Sequence, residues 1–233
     1  MSFRRRLVAE GLGTALLLAI VVGSGIMGER LADGNVAIAL LANTLATGAG
    51  LVVLILVFGP VSGGHFNPAV TLADAWEGGL PRAEVPGYVA AQVIGAFLGV
   101  AAAHLMFQEP LFSASMHIRT GPSQWWSEFV ATFGLLSVIW GCLRSRPETV
   151  AFAVGLYISA AYWFTASTSF ANPAVTLARA ASDTFAGIRP VDAPPFIIAQ
   201  LLGAFAATAL FRWLTPSVSE HADEVVVRHD GAP

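Results

Sequence analysis

The chain contains no lysine, a single cysteine and few charges of any kind, with Asp, Glu, Lys and Arg making up 12% of its 233 residues. Each shortage excludes something. With a net charge of −3 and no basic run beyond Arg4-Arg5-Arg6, a nucleic-acid partner is not expected. Cys142 alone rules out an intrachain disulfide or a multi-thiolate site, and its plain role is that of a small apolar packing residue near a helix end. No nucleophile–base pair or metal-ligand cluster stands out, so neither an enzyme nor a cofactor or metal is expected. His221 and His229 near the C-terminus could ligate a metal, but two histidines without further ligands read more simply as solvated side chains.

What the chain has in abundance is apolar residues, 55% of the total, in long uncharged windows. That is the pattern of an integral, helical membrane protein in contact with a lipid bilayer. Residues 7–27 follow the arginine run and could pass for a signal peptide. They are long enough to span a bilayer and carry Glu10, so they are read as a retained first helix. Residues 36–60 make a second span, 85–107 a third, 125–143 a fourth, 149–163 a fifth and 194–213 a last. Residues 108–123 are a polar connector, Arg144 and Arg146 lie in a short charged loop, and the tail from residue 215 is polar and expected to be disordered.

Two copies of one phrase organise the rest. Asn67-Pro68-Ala69-Val70-Thr71-Leu72-Ala73 returns letter for letter as Asn172-Pro173-Ala174-Val175-Thr176-Leu177-Ala178. A single copy reads as an ordinary helix start, with Asn as cap and Pro as first residue. Each opens a run, 67–76 and 172–182, about half as long as a bilayer crossing needs. The repetition extends further. Ala91-Gln92-Val93-Ile94-Gly95-Ala96-Phe97 matches Ala199-Gln200-Leu201-Leu202-Gly203-Ala204-Phe205, and Glu10-Gly11-Leu12-Gly13-Thr14 is echoed by Glu128-Phe129-Val130-Ala131-Thr132. Each half therefore reads as three full helices and a half-helix. An odd number of crossings makes the second half enter from the opposite side, an inverted repeat with its site where the halves meet. One channel domain is expected over residues 1–214, with repeat one at about 4–107 and repeat two at about 123–214. Eight arginines (4, 5, 6, 82, 144, 146, 212 and 228) against four (30, 119, 179 and 189) place both termini in the cytoplasm.

Interrupted backbone at membrane depth is tolerated only where protein buries it or where it lines a wet cavity. Inverted symmetry points the two Asn-Pro ends at each other, and each helix N-terminus carries about half a positive charge. Two such ends oppose cations and admit neutral dipolar solutes. The asparagine side-chain oxygens can cap their helices, leaving the amide hydrogens of Asn67 and Asn172 to donate to a solute. Carbonyls of the preceding loops, Gly63, Gly64, His65 and Phe66 in one repeat and Thr168, Ser169, Phe170 and Ala171 in the other, would supply acceptors. Gly95, Gly99 and Gly203 have small neighbours at helical spacing, the mark of close helix packing.

With its doubled Asn-Pro-Ala in inverted repeats, the chain resembles the major intrinsic protein family, the aquaporins and aquaglyceroporins, over residues 4–213. The resemblance implies an all-α membrane fold of six transmembrane helices plus two re-entrant half-helices, one pore per subunit, and a homotetramer. It also implies that Glu10 and Glu128 are buried and bonded to the half-helix loops, and that His65 shapes its loop rather than gating it. By the family's spacing, a second constriction outside the centre falls on Thr47, Ala160, Ser169 and Val175. The family usually has Arg where Val175 stands and often an aromatic where Thr47 stands. A wide, uncharged filter is the expected consequence. Arg179, one turn beyond Val175, either stands in for the missing charge or is a plain arginine at the mouth. With Val at this position the chain resembles the bacterial aquaglyceroporins associated with arsenic resistance.

The expected function is passive passage of small neutral solutes broader than water, with glycerol and neutral hydroxides such as arsenite leading and methylated arsenicals included, in a bacterial inner membrane. The alternatives are a mainly water-conducting channel, a proton-coupled secondary transporter using Glu10, Glu128 or His104, and a structural membrane protein with an occluded pore.

Overall fold

A computed structural model describes residues 1–215; the expected tail from residue 216 on, with His221 and His229, lies outside the described residues. Among the described residues the only regular structure is helical. The first half holds α1 (Phe3–Leu31), α2 (Val36–Ser62), α3 (Pro68–Glu77) and α4 (Val85–Phe107). The second holds α5 (Pro122–Ser145), α6 (Val150–Phe164), α7 (Pro173–Arg179) and α8 (Ala193–Leu214).

Local chemistry sets most of the ends. Asn35 caps α2, its Oδ1 accepting from the backbone N–H of Ala37 and Ile38 at 3.1 and 3.2 Å. Gly63 at φ 94° ends α2, and Gly78 at φ 96° ends α3, both in the left-handed region that glycine enters without strain. Pro68, Pro122 and Pro173 start their helices, where a missing N–H costs nothing. α7 stops at Arg179, three residues short of the expected end. There the Ala180 carbonyl accepts from Ser115 N–H of the connector at 3.0 Å, and Asp183 Oδ1 accepts from Met116 N–H at 2.8 Å.

α1, α2, α4, α5 and α8 are each long and apolar enough to cross a membrane. α6 has 15 residues, about 22 Å at the helical rise, and is the short member of the expected six. It begins after the 3-10 turn Pro147–Thr149 and gives way at Thr165 to the chain that re-enters the bundle. Ion pairs fix the two faces. Arg6–Glu84 and Arg212–Glu77 gather the N-terminus, the start of α4 and the ends of α3 and α8 on one face. Arg30–Glu109 marks the other, here called the connector face, where α1 and α4 end. Arg119 and Arg179, counted from sequence among the arginines on or near that side, are buried inside the protein.

α1 packs on α4 and α2, α5 on α8 and α6, and α2 on α6 joins the halves, while α3 touches α8 and α7 touches α4. Outward-facing Val53, Leu98, Leu105, Leu156 and Leu202 are exposed, an apolar exterior suited to lipid. At the tightest crossings Gly95 of α4 lies against the Gly11 carbonyl of α1, Gly99 against Ala15, and Gly203 of α8 against Phe129 of α5. Gly95→Val would push a side chain into that carbonyl and force the helices apart, costing about 1–3 kcal/mol or more. The expected result is a lower yield of monodisperse protein and a melting point several degrees below the parent's. A variant that purifies and melts like the parent would show the crossing to be looser than this.

Candidate functional site

Two buried carboxylates build the centre. Glu10 of α1 accepts from Ser62 Oγ (2.7 Å) and His65 N–H (3.0 Å) on one oxygen, and from Phe66 N–H and Gln92 Nε2 (both 2.8 Å) on the other. Glu128 of α5 repeats the arrangement, accepting from Phe170 N–H and Ala171 N–H (both 2.9 Å) and Gln200 Nε2 (2.6 Å). Gln92 also donates to Thr71 Oγ1 and Gln200 to Thr176 Oγ1, both at 2.8 Å, so each glutamine ties its glutamate to a half-helix. Neither carboxylate has an oxygen without a partner.

The two loops solve one geometric problem with different residues. Both enter the left-handed region. The first does so at Gly63 (φ 94°), Gly64 (φ 63°) and Phe66 (φ 48°). The second uses Thr168 (φ 60°), Ser169 (φ 51°) and Ala171 (φ 48°), with no glycine to relieve the strain. Besides Glu128, Arg119 holds this loop in place: Nη1 donates to Ser167 O at 3.1 Å and to Thr168 Oγ1 at 3.4 Å.

The loops carry the asparagines to the middle. Asn67 Oδ1 caps α3 by accepting from Ala69 N–H (2.9 Å), and Asn172 Oδ1 caps α7 by accepting from Ala174 N–H (3.0 Å). Each amide nitrogen then reaches into the other repeat. Asn67 Nδ2 donates to Ala171 O and Asn172 Nδ2 to Phe66 O, both at 2.8 Å. This corrects the expectation that both amide hydrogens serve a solute. One locks the repeats together and one remains on each asparagine. Phe66 O and Ala171 O correspondingly spend one lone pair each on the lock.

A narrow cavity of about 60 Å³ runs past the asparagines, room for on the order of four water molecules. Its apolar wall is duplicated too: Leu17 and Val21 of α1 match Leu135 and Ile139 of α5, and Leu51 and Ile55 of α2 match Val154 and Ile158 of α6. Gly64, His65 and Phe66 line it from one loop, and Ser169, Phe170 and Ala171 from the other. Gly63 and Thr168 do not: Gly63 closes α2, and Thr168 lines a second cavity. His65 Nδ1 lies 3.0 Å from Thr71 Oγ1 and Nε2 3.6 Å from Asp74, which braces α3 against the loop. His104, a carrier candidate in the sequence, bonds Ser182 Oγ at 2.8 Å and does not line the cavity.

Thr47, Ser169 and Val175 come together on the connector side of the asparagines. Ala160 does not join them; it is exposed on the outer face of α6 in a row with Phe152, Leu156 and Trp163. The α6 residue that faces the cavity beside Thr47 is Tyr162, one turn beyond Ile158, and its hydroxyl donates to Thr47 Oγ1 at 3.3 Å. Three side chains of this apolar helix carry a hydroxyl, Tyr157, Ser159 and Tyr162, and only packing singles out the last. Ser169 Oγ is buried without a protein partner. Here the cavity wall thus carries the hydroxyls of Thr47, Tyr162 and Ser169 and the isopropyl group of Val175.

Beyond it a cavity of about 150 Å³ opens toward the connector face, lined by Asn43, His117, Arg119, Thr168 and Arg179 among others. Arg179 lines both cavities. Its guanidinium lies 3.4 Å from the centre of the Phe170 ring, and Arg119 lies 5.0 Å from the same ring. Burial first, then the charges of Arg119 and Arg179, hold the His117 imidazole below the usual histidine range. Sequence reasoning missed Arg119, which sits in a polar connector with no periodicity to give it a direction.

Long helices enclosing two half-helices that meet tip to tip define a membrane channel built on an internal repeat. The chain belongs to the major intrinsic protein family, whose description matches residues 1–149 and again residues 143–232. Members of this family are channels, not enzymes. The chain is 60% identical over 210 residues to Aquaglyceroporin AqpS of Rhizobium meliloti (strain 1021), covering 90% of both proteins. It is 34% identical over 160 residues to Nodulin-26 of Glycine max, covering 66% of this chain and 58% of that protein. Its fold is that of the crystallised aquaglyceroporin from Plasmodium falciparum, with a TM-score of 0.72 and 22% identity over 94% of this chain and all of the other.

Proposed function

We propose that this integral membrane protein is an aquaglyceroporin-like passive channel for small neutral polyhydroxylated solutes, glycerol and As(OH)3 among them, with water passing as well. The uncharged constriction carries the reading. Hydroxyls of Thr47, Tyr162 and Ser169 share it with the apolar Val175, which suits a solute with a row of hydroxyls on one side and a carbon backbone on the other. At the centre the remaining amide hydrogens of Asn67 and Asn172 offer donors, and the facing half-helix ends oppose cations. The 60% identical relative named as an aquaglyceroporin supports the same class of solute. A proton-coupled carrier needs ionisable groups that change partners, and both oxygens of Glu10 and Glu128 are held by the channel's own loops and glutamines.

One channel domain spans residues 1–214, as repeats 4–107 and 123–214, each subunit holding its own pore within a homotetramer. The membrane is the bacterial inner membrane with both termini cytoplasmic. Arg4, Arg5, Arg6, Arg82, Arg144, Arg146 and Arg212 on the N-terminal side favour that orientation. The test is stopped-flow light scattering on proteoliposomes with water, glycerol and arsenite, with and without a proton gradient. Glycerol and arsenite should equilibrate well above the rate of empty vesicles, without saturation and regardless of the gradient. Saturable, gradient-driven flux would establish a carrier instead, and water flux alone a water channel.

A further inference from the structure

The mouth cavity on the connector face holds two guanidinium groups, of which Arg119 braces the second loop through Nη1 alone. Arg119 is 9% exposed and Arg179 2%. Among the described residues their acceptors are all neutral: Gly187 O, Ser167 O and Thr168 Oγ1 for Arg119, and Ala186 O for Arg179. The neighbouring carboxylates are committed elsewhere: Glu128, whose charge reaches both guanidinium groups, accepts from Phe170 N–H, Ala171 N–H and Gln200 Nε2. Asp192 pairs with Arg189 and accepts the Arg119 backbone N–H, and Asp183 Oδ1 accepts Met116 N–H. Among the described residues neither Arg119 nor Arg179 forms an ion pair. Among the described residues Arg119 Nη2 and both terminal nitrogens of Arg179 meet no acceptor, and both residues line the 150 Å³ cavity.

Buried cations with unspent donors call for an acceptor that carries charge. The planar guanidinium fork suits the paired oxygens of an oxyanion. We propose that Arg119 and Arg179 form an oxyanion-binding station in this mouth, which holds the anionic form of small oxygen acids and repels cations. The neutral forms pass on to the constriction. The proposal rests on the channel reading for its consequence, since the cavity must lie on the solute's path. It also gives Val175 a context: positive charge stands one turn further out, at Arg179, and on a second chain segment, at Arg119, which leaves the constriction itself wide and uncharged.

Sulfate is the probe. Glycerol flux into proteoliposomes of the full-length protein is measured in sodium sulfate and in sodium chloride at equal ionic strength, on both sides of the membrane. Sulfate should slow the parent channel severalfold and saturably, with chloride far less effective. Normalised to each variant's own flux, Arg119→Gln and Arg179→Gln should raise the half-blocking sulfate concentration about tenfold or more, the effect of losing a charge-assisted pair of hydrogen bonds. Arg119→Lys, which keeps the charge, should fall in between. A glycerol-conducting parent indifferent to sulfate, or a block unchanged in Arg119→Gln, overturns the station. If Arg179→Gln does not fold, Arg119→Gln carries the test. Thermal melting in detergent separates the two readings. Sulfate stabilises proteins in general, so the site requires a larger rise in the parent than in Arg119→Gln, and equal rises overturn it. A parent that passes no glycerol but shows that difference loses the channel reading and keeps the site.

Discussion

Val175→Arg is expected to cut glycerol permeation by about tenfold or more while water permeation falls far less, because a long planar cation narrows the lumen and size exclusion acts first on the larger solute. Val175 lines the cavity beside Thr47, Tyr162 and Ser169, so any longer side chain there projects into the solute path. Retreat toward the mouth is unfavourable. Arg179 sits one turn along the same face of α7, its guanidinium is already there, and like charges at that spacing repel. The new side chain is therefore driven across the lumen toward the hydroxyls of Thr47 and Tyr162. Tyr162 sharpens the expectation, since the gap is already bordered by an aromatic that a count from the second asparagine did not find. Val175→Ala should change both permeabilities little. Stopped-flow shrinkage in glycerol and in an impermeant osmolyte reads both. A folded Val175→Arg channel that passes glycerol like the parent would remove Val175 from the constriction.

The second large effect concerns the carboxylates, and the two repeats should differ. Glu128→Ala leaves Phe170 N–H, Ala171 N–H and Gln200 Nε2 buried without their acceptor. At about 1–3 kcal/mol per orphaned donor this approaches the whole stability of a typical domain. The expected outcome is little or no folded channel. Glutamine is the finer probe. It keeps the shape but turns one acceptor into a donor that faces other donors. Glu128→Gln should lower the melting point more than Glu10→Gln, although Glu10 makes more hydrogen bonds. The loop under Glu128 holds Thr168, Ser169 and Ala171 at positive φ, whereas the loop under Glu10 assigns two such positions to Gly63 and Gly64 and only one to Phe66. Flux per folded channel should stay near the parent's for Glu10→Gln. The reverse order of melting points would mean that loop strain is not what Glu128 restrains. A flux that needs a proton gradient in the parent and loses that need in Glu10→Gln would restore the carrier.

Much of this was legible in the residues alone, for a physical reason. Duplication writes one structural solution twice, so Glu10 with Gln92 and Glu128 with Gln200 announce a shared role before any contact is known. Asn67-Pro68 and Asn172-Pro173 are local instructions, a cap and a first helical residue, and local instructions are read without knowing the fold. The apolar windows placed the long helices to within a few residues, and the small residues at Gly95, Gly99 and Gly203 marked the crossings.

Tertiary structure decided the rest. Ala160 was reached by counting twelve positions back from Asn172, across residues 165–171. That backbone is irregular, with three residues at positive φ, so no fixed rotation per residue carries the helical phase through it. The pattern of α6 could not restore the phase, because a membrane helix is apolar toward lipid and toward core alike, and only packing showed that Val154, Ile158 and Tyr162 face inward. Arg119 had no helix to orient it, and its place beside Arg179 depends on a connector folding over a half-helix that comes about sixty positions later. The asparagine lock between Asn67 and Ala171 O, and between Asn172 and Phe66 O, joins residues more than a hundred positions apart. A sequence can say that such a residue has donors to give, but what receives them is fixed only when the two halves close on each other.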